Sequence, residues 1–365
     1  MKVLHISTPM SWRGGEQQLA NLIDELARKN ISQWVLCSSH SAMSAYCKKN
    51  KINSITQRKP SSFSFMAAFR IAKLCKNLEI DLMHVHDSHA HSLAVLANVL
   101  FHGKTSIILS GKVDYPIRNN WYSHFKFNHH SIKAIISVSK KISEIIAPDI
   151  KNKKIISTVY DGIDFLRFKF KNEGLLRKEF GISSDELIIG NVAALAPHKD
   201  YFTFVDTAEI ILKKKIKAKF LIIGSGPDKN KIENYISSKK LQTQVLLMGF
   251  RNNIPQLLPE FDIFLFSSKT EGLGSSILDA YTCEVPVVAT SAGGVPEIVI
   301  DHKTGLVSPP QNALLLAENI LKLMENEALR NQLKKNAKEF VLNFSKERNA
   351  EQIFAIYTEV IKKAQ

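Results

Sequence analysis

The chain alternates short apolar segments with segments of helical periodicity, and it does so in two separate series. Apolar runs such as Val3–Ser7 and Gln33–Ser38 precede or follow segments such as Glu16–Lys29, in which apolar residues recur every three or four positions. A second series runs from Leu187–Val192 to Leu306–Val307. Strands that alternate with helices pair in parallel through crossover helices. We therefore expect an α/β protein with two doubly wound, Rossmann-like domains that face each other across a cleft.

The charged, glycine-containing stretch Arg167–Gly181 separates the two series and is the predicted linker region. The N-terminal domain is expected to cover residues 1–165 and the C-terminal domain residues 166–345. The last helical segment, about residues 346–365, is expected to pack back on the N-terminal domain. Ligands of such folds bind at the carboxyl ends of the strands, so the functional site is expected there.

The composition excludes disordered, fibrous and membrane-spanning classes. Hydrophobic residues make up 45% and charged residues 23% of the 365 residues, which is typical of a globular protein. No apolar run reaches the length of about 18 residues that a transmembrane helix requires. The segment Met1–Ser7 is too short for the core of a secretory signal. The cysteines show neither metal-binding spacing nor disulfide density, so we expect reduced thiols in the cytoplasm.

The net charge of +15 is unevenly distributed. Residues 1–164 contain about 22 lysines and arginines against about 11 acidic residues. Such a basic half favours contact with a phosphorylated substrate or with an anionic membrane surface. Binding to nucleic acid is not expected, because no nucleic-acid-binding motif accompanies the charge. A generally basic genome background is the alternative explanation.

The most informative motif joins a strand, a turn with two glycines and a helix within about a dozen residues. The apolar run Phe261–Phe266 precedes Thr270–Gly274, and helical spacing resumes at Ile277. The N–H groups and dipole of a helix start suit a phosphate. The flanking carboxylates of Glu271 and Asp279 suit hydroxyl groups. This combination indicates a sugar nucleotide.

Comparable turns follow other predicted strands. Gly14 and Gly15 open the first helix, where a backbone can approach a phosphate closely. Lys199 lies between a strand and a helix, and it is well placed to neutralise a diphosphate. Gly224 forms another such turn, and Arg251 offers a guanidinium face for a base. Each has an ordinary alternative as a tight turn or a solvated side chain, but together they indicate a nucleotide-diphosphate site.

A histidine-rich segment, Met83–His91, follows another predicted strand. It has three interpretations: polar lining of an acceptor site, helix capping by Asp87 and Ser88, and metal binding. We favour acceptor lining and expect no metal. The segment contributes four histidines, His84, His86, His89 and His91.

Taken together, these motifs resemble glycosyltransferase family 4, retaining enzymes of the GT-B fold in bacterial cell-surface glycan synthesis. The resemblance covers nearly the whole chain. The family signature E-G-x-G-x-x-x-x-E-A corresponds to Glu271–Ala280, and its P-V-V-A-T-x-x-G-G-x-P-E block to Pro286–Glu297. A T-G-L-V element follows at Thr304–Val307.

The resemblance implies roles for the predicted donor site. Glu271 contacts the hydroxyls of the donor sugar, Asp279 holds the ribose, and Lys199 holds the diphosphate. The predicted donor-binding residues are Gly14, Gly15, Gly224, Arg251, Gly272, Leu273, Gly274, Ser275 and Asp279.

The resemblance also implies that the strand end at His84–His91 binds the acceptor and that transfer needs no metal. Many family members carry a histidine after the next strand, where this chain has Ser110–Asp114, so Lys112 and Asp114 are its predicted substitutes. The predicted catalytic residues are Glu271, Lys199, His86 and Asp114. The predicted acceptor-binding residues are His84, Asp87, His89 and Lys112.

Three positions depart from the family pattern. Asp279 replaces a glutamate and is shorter by one methylene. Ala194 occupies the place of an arginine that normally accompanies the lysine on the diphosphate, and His198 is a predicted substitute. The N-G-x-D turn at the end of the first domain reads Asp161–Asp164.

The resulting hypothesis is a metal-independent, hexosyltransferase-type glycosyltransferase. It moves a sugar from a UDP or GDP sugar to an acceptor hydroxyl with retention, in lipopolysaccharide or other surface-glycan synthesis. No cofactor is expected besides the donor. The expected location is the cytoplasm, with contact at the inner membrane face through the basic N-terminal domain. The alternatives are a nucleotide-sugar epimerase of the same fold and a non-catalytic sugar-nucleotide-binding protein.

Overall fold

The computed structural model describes residues 1–58, 61–111, 117 and 119–363. The chain divides into two compact units. Unit 1 consists of Met1–Gly162 together with Lys346–Gln365, and unit 2 of Ile163–Ser345. Each unit is built on one parallel sheet with interleaved helices, which confirms the predicted α/β class.

Parallel pairing joins all the strands of each sheet. The strands of unit 1 are β1 (Lys2–Ser7), β2 (Ser32–Ser38), β3 (Ser54–Gln57), β4 (Leu82–Val85), β5 (Ser106–Gly111), β6 (Ile132–Ser137) and β7 (Ile156–Thr158). The strands of unit 2 are β8 (Leu187–Val192), β9 (Ala218–Ile223), β10 (Val245–Gly249), β11 (Ile263–Phe266), β12 (Val287–Thr290) and β13 (Leu306–Ser308).

The helices connect these strands and cover the sheets. Those of unit 1 are α1 (Gly14–Arg28), α2 (Ala42–Lys49), α3 (Phe65–Leu78), α4 (Ser88–Leu100), α5 (Trp121–Phe127), α6 (Lys140–Ile146) and, at the end of the chain, α14 (Lys346–Lys362). Those of unit 2 are α7 (Leu175–Phe180), α8 (Tyr201–Lys213), α9 (Lys229–Ser238), α10 (Ile254–Leu257), α11 (Ser275–Thr282), α12 (Ala313–Glu325) and α13 (Glu327–Val341).

Both faces of the sheet in unit 1 are covered. Strand residues such as Leu4 and Met83 pack with α3 and α4 on one face, whereas Val3 and Leu82 pack with α1 and α14 on the other. Because both faces are buried, the strands are mostly apolar, and polar strand residues such as His5 and His84 are buried as well.

The strand order places two particular strand ends at the centre of each unit. The sheets read β3-β2-β1-β4-β5-β6-β7 and β10-β9-β8-β11-β12-β13. In both sheets, the first three strands follow one another toward one edge. The fourth strand then lies on the opposite side of the first strand, and the remaining strands continue toward the other edge. The crevice at such a switch point, between β1 and β4 or between β8 and β11, is where ligands bind in doubly wound folds.

The prediction of a linker at Arg167–Gly181 was wrong. This stretch belongs to unit 2 and contains α7. The buried carboxylate of Glu260 accepts hydrogen bonds from the backbone N–H groups of Leu175 and Leu176, at 2.5 and 2.8 Å. A carboxylate that satisfies the first N–H groups of a helix stabilises its start.

Helix α4 begins four residues before the predicted position at Ser92. The Asp87 carboxylate accepts hydrogen bonds from the backbone N–H groups of His89 and Ala90, both at 2.9 Å, and so caps the helix. Helices α5 and α6 were not predicted from the sequence.

No helix in the described part of the chain is both long and apolar enough to span a bilayer. All four cysteines are free.

Candidate functional site

The centre of unit 2 holds an ion pair between two predicted catalytic residues. The ammonium group of Lys199 donates a hydrogen bond to the carboxylate of Glu271. The two side chains are only 15% and 14% exposed. Lys199 follows β8 and Glu271 follows β11, which are neighbours in the sheet, so the pair lies at the switch point of unit 2.

Contacts between the two loops hold this pair in place. The Ser267 hydroxyl donates to the backbone carbonyls of Lys199 and Asp200, both at 3.1 Å. The Ser268 hydroxyl donates to the Glu271 carboxylate at 3.4 Å. The ammonium group of Lys199 also lies 5.3 Å from the ring centroid of Phe266. Burial and the negative charge of Glu271 raise the pKa of the neighbouring Tyr201.

Two glycines allow the surrounding loops to pack against this region. A Cβ atom on Gly293 would lie 1.9 Å from the backbone oxygen of Glu271, and one on Gly224 would lie 1.9 Å from that of Ala193. Both glycines have a positive φ, +51° and +156°. Only glycine accepts these positions without a clash. The predicted donor residue Gly224 is therefore required, in the first place, for close packing of two loops.

The turn after Glu271 leads directly into α11. Gly274 has a φ of +92° and precedes the first helical residue, Ser275. Gly272, Leu273 and Gly274 are buried, whereas Ser275 and Asp279 are half-buried on α11. The predicted strand, glycine turn and helix start are thus present, and they place the N–H end of α11 beside Glu271.

Arg251 is 28% exposed and forms an ion pair with Glu179. Its Nε–H also donates to the backbone oxygen of Met248 at 3.3 Å. The guanidinium group is therefore engaged by protein groups at the end of β10, and stacking on a base remains a prediction.

A second lysine lies beside the pair and was missed by the sequence reasoning. The ammonium group of Lys269 lies 3.6 Å from the carboxylate of Asp200, and its backbone N–H donates to the His198 oxygen at 2.8 Å. Lys269 therefore lies next to the Lys199 loop. Its position between β11 and the E-G-x-G turn was the available signal.

Those predicted residues of unit 1 that the structure describes lie at its own switch point or close to it. Gly14 and Gly15 form the first residues of α1. The backbone N–H of the preceding Arg13 donates to the carboxylate of Glu16 at 3.0 Å, which closes the first turn of the helix. Gly14 and Gly15 thus belong to unit 1, whereas the other predicted donor residues belong to unit 2.

A hydrogen-bonded chain leads to the predicted catalytic residue His86. The Gln33 amide nitrogen donates to the Ile23 backbone oxygen at 3.0 Å, so its amide oxygen faces His5 Nε2, at 3.1 Å. His5 Nδ1 lies 3.1 Å from His86 Nε2. Burial lowers the pKa of His5 to about 4.

This chain selects one tautomer of His86. His5 is neutral and uses its only N–H group, at Nε2, to donate to Gln33, so its Nδ1 accepts. His86 must therefore donate from Nε2, and in its neutral form Nδ1 is the basic nitrogen. The sequence reasoning missed His5 and Gln33, because apolar-looking strand positions give no sign of a polar contact across the sheet.

His84 lies in the interior of unit 1. It is 0% exposed, and its ring nitrogens face the Tyr357 hydroxyl at 2.5 Å and the Ser110 hydroxyl at 2.9 Å. These contacts connect α14 and β5 across the sheet. His84 is thus placed to hold the neighbouring elements together, and a direct acceptor contact remains a prediction.

Asp87 accepts hydrogen bonds from four groups of its own chain. The backbone N–H and hydroxyl of Thr8 donate to it at 2.7 and 2.8 Å, in addition to the two N–H groups of α4. This geometry favours the capping interpretation. His89 is exposed, and its Nδ1 lies 2.6 Å from the Ser62 hydroxyl. The predicted residues Lys112 and Asp114 lie outside the described residues.

The histidines also form a group with metal-binding spacing. One ring nitrogen from each of His5, His84 and His86 lies within 4.8 Å of the others, a donor set that Zn²⁺ accepts. Both ring nitrogens of His5 and of His84 already have hydrogen-bond partners, so an ion would have to displace some of them. The absence of a metal stays a prediction.

Two cavities lie away from these residues. One of about 440 Å³ is lined by the amino ends of β6 and β7 and by the end of α14. The other, of about 370 Å³, is lined by the start of β8 and by residues around Pro259 and Pro286. None of the predicted site residues lines either cavity, so each unit has its candidate site at its own switch point.

The chain matches known families over almost its whole length. Residues 12–167 match the model of glycosyltransferase family 4, and residues 172–340 match that of glycosyl transferases group 1. An uncharacterized glycosyltransferase of Methanocaldococcus jannaschii is 30% identical over 305 residues, which cover 80% of each chain. The N,N'-diacetylbacillosaminyl-diphospho-undecaprenol alpha-1,3-N-acetylgalactosaminyltransferase of Campylobacter jejuni is 28% identical over 315 residues, which cover 80% of this chain and 81% of that protein.

Solved structures give the same fold. The crystal structure of Anabaena HepE in complex with UDP-glucose superimposes with a TM-score of 0.88 over 98% of this chain and 100% of that chain, at 19% identity. The family resemblance read from the motifs is confirmed. The chain belongs to glycosyltransferase family 4, and it is a glycosyltransferase with the GT-B fold.

Proposed function

We propose that the protein transfers a sugar from a nucleoside diphosphate sugar to an acceptor hydroxyl, with retention at the anomeric carbon and without a metal. The observation that carries the proposal is the ion pair of Lys199 and Glu271 at the switch point of unit 2. The reacting bond joins the donor sugar to the diphosphate. The cation suits the anionic diphosphate, and the carboxylate suits the hydroxyls of the sugar.

The chemistry assigns Lys199 to the leaving group. As the bond to the sugar breaks, negative charge accumulates on the diphosphate, and a fixed cation lowers the energy of that charge. Lys199 is mostly buried, so it interacts with the diphosphate more strongly than a solvated lysine would. The N–H groups at the start of α11 add to the positive potential.

Glu271 is assigned to the sugar. When the ammonium group of Lys199 pairs with the diphosphate, the carboxylate of Glu271 becomes available to accept hydrogen bonds from sugar hydroxyls. Asp279, eight positions later on α11, is assigned to the ribose. The UDP-glucose in the Anabaena structure supports a donor of this class.

Unit 1 is assigned to the acceptor. The tautomer selected by His5 gives His86 a basic Nδ1, which suits a group that receives a proton from the acceptor hydroxyl. Retention without a protein nucleophile then means that the acceptor hydroxyl attacks the anomeric carbon from the face that the diphosphate leaves, as the family resemblance implies.

The proposed acceptor is a lipid-linked or other surface glycan of a bacterium, for example a lipopolysaccharide. The Campylobacter relative acts, by its name, on a diphospho-undecaprenol substrate. The excess of basic residues in unit 1 fits an anionic acceptor and contact with the inner face of the cell membrane.

A panel of UDP and GDP sugars tests the proposal. Thermal-shift measurements identify the donor, because a ligand that binds only the folded state raises Tm. NMR of the product then reports the anomeric configuration, and retention is expected. Inversion would contradict the mechanism, and conversion of the donor sugar without any acceptor would indicate an epimerase instead.

A further inference from the structure

Unit 1 carries a set of large apolar side chains on its surface, which we call the aromatic surface. Its exposed members are Phe63 (64%), Phe65 (60%), Met66 (80%), Phe69 (49%), Trp121 (80%) and Phe125 (43%). In the described part of unit 2, exposed apolar residues such as Phe250, Leu314 and Leu342 lie far apart in the sequence and in different elements. Single exposed apolar residues are ordinary, whereas a group of this kind marks an interaction surface.

Ring contacts show that the members are neighbours. Phe65 and Phe69 lie 4.9 and 5.2 Å from Phe101, measured between ring centroids. Phe63 lies 4.9 Å from Tyr122, which lies 5.9 Å from Trp121. Because Phe63 and Phe65 are two residues apart, the two groups of rings adjoin. The aromatic surface is therefore formed by the loop before α3, by α3 itself and by α5.

The outer side of helix α3 is more apolar than that of a helix that faces only water. Its inner positions Ala67, Ala68 and Ile71 are buried against the sheet. The opposite face starts with Phe65, Met66 and Phe69, and only later carries the exposed residues Arg70, Lys73 and Lys76. A surface helix normally places polar residues on its outer side. An outer side that is first aromatic and then basic is that of a helix at a membrane interface.

The segments that form the aromatic surface contain basic residues and no acidic ones, although the carboxylate of Asp149 lies 4.0 Å from His124 on α5. The sequence contains no Asp or Glu in residues 58–78, 88–111 or 117–143, whereas lysine and arginine occur in each of these segments. Among the described residues, Arg58, Arg70, Lys73 and Lys104 are exposed in them. Basic side chains near a membrane are attracted to anionic lipids, and the attraction decreases with salt.

We propose that the aromatic surface docks unit 1 on an anionic lipid bilayer. Phenylalanine, tryptophan and methionine enter the boundary between head groups and acyl chains, and the arginines and lysines of α3 contact the lipid phosphates. Charge complementarity selects this occupant over a second copy of the chain, since two copies of one basic surface would repel each other.

The aromatic surface adjoins a predicted acceptor residue. Ser62, directly before Phe63, has its hydroxyl 2.6 Å from His89 Nδ1. Docking therefore brings His89 close to the bilayer, where a lipid-linked acceptor would be presented. Docking specifies the membrane contact of the proposed function, and the presentation of an acceptor near His89 rests on that function.

Co-sedimentation of the purified full chain with vesicles tests the proposal without donor or acceptor. We expect binding to vesicles of phosphatidylcholine mixed with phosphatidylglycerol, weak binding to phosphatidylcholine alone, and release by salt. The double variant Phe65→Ser/Met66→Ser and the variant Trp121→Ser should each bind about tenfold less. The double variant Arg70→Gln/Lys73→Gln should lose mainly the preference for anionic vesicles.

Matched variants in unit 2 serve as controls. Leu314→Ser and Leu342→Ser remove side chains that are 60% and 65% exposed, and Lys322→Gln/Lys335→Gln removes two exposed charges. These variants should bind vesicles as the wild type does. Failure of the wild type to bind anionic vesicles, or an equal loss in the controls, would overturn the proposal, as would a dimer in light scattering that Trp121→Ser dissociates. Nucleotide-sugar binding, measured on the same variants without vesicles, separates a failure of docking from a failure of the proposed function.

Discussion

Lys199 and Glu271 lie 72 residues apart in the sequence and form an ion pair within unit 2. Their loops follow β8 and β11, two strands that are adjacent only because the chain reverses direction across the sheet at this point. The pair therefore places a cation and an anion at the position where a doubly wound fold binds its ligand.

Asp279 is expected to contribute to donor affinity although it is shorter than the glutamate of the family pattern. Asp279→Asn keeps the shape of the side chain and removes the charge, so the nucleoside diphosphate should bind about tenfold more weakly. Asp279→Glu should retain binding. Calorimetry measures both. Glu284→Gln, which removes an acid that pairs with Lys338 on the surface, is the control and should bind as the wild type does. Wild-type affinity in Asp279→Asn would refute the ribose assignment.

His5 is expected to act through His86 and not on the substrate. His5→Leu removes the acceptor that fixes the tautomer of His86, so kcat should fall while the KM for the donor stays constant, and the acidic limb of the kcat profile should move. His5→Gln retains an acceptor and should recover part of kcat. If both variants lose activity equally with an unchanged pH profile, the role of His5 is only structural.

Removal of metal ions is expected to leave activity unchanged. The ring nitrogens of His5 and His84 are engaged in hydrogen bonds, and Lys199 supplies the positive charge that a metal would otherwise supply. Assays in EDTA and elemental analysis of the purified protein check this expectation. Loss of activity in EDTA that a divalent cation restores, and that His84→Asn abolishes, would identify the histidine group as a metal site.

Unit 1 is expected to lose stability in acid through a buried histidine. His91 is fully buried, its Nε2 donates to the Lys126 backbone oxygen at 3.1 Å, and its Nδ1 has no partner among the described residues. Burial, and then the charge of Lys126, lower its pKa to about 3. Because the folded-state pKa is depressed, the stabilisation is complete above about pH 6.5 and decreases as the pH falls toward about 3.

Comparison with His91→Leu isolates this effect. By about pH 4 the wild type should have lost about 3 kcal/mol of unfolding free energy relative to the variant, over and above their difference at neutral pH. Tryptophan fluorescence reports it, since the three tryptophans, Trp12, Trp34 and Trp121, all belong to unit 1. His40→Asn changes an exposed histidine and should follow the wild type. Parallel curves for wild type and His91→Leu would contradict the expectation.

The sequence predicted those features that depend on neighbouring residues. The parallel sheets follow from alternating strand and helix patterns, and the E-G-x-G turn before α11 follows from its glycines. Lys199 was found because it lies between a strand and a helix. Each of these signals lies within about ten residues, which is the range over which periodicity and turn chemistry operate.

Features that depend on contacts between distant residues were not predicted. Helix α7 was assigned to a linker because its cap, Glu260, lies 85 residues away from Leu175. His5 was read as part of a buried strand, because only the pairing of β1 with β4 brings it to His86. Lys269 was missed although it lies just before the E-G-x-G turn, because its contact with Asp200 joins the ends of two different strands. Strand order, which no local pattern specifies, decides all such contacts between strands.

Release of nucleoside diphosphate from the donor tests the central claim most directly. The wild type, incubated with UDP and GDP sugars and a glycan acceptor, should release UDP or GDP from one donor class. Lys199→Ala should lower that rate by a factor of about 10²–10³, because the charge on the leaving diphosphate is no longer stabilised. Lys217→Ala, which removes a lysine from an exposed pair with Asp185, should leave it unchanged. Wild-type turnover in Lys199→Ala, or neither binding nor release with any donor of the panel, would contradict the account.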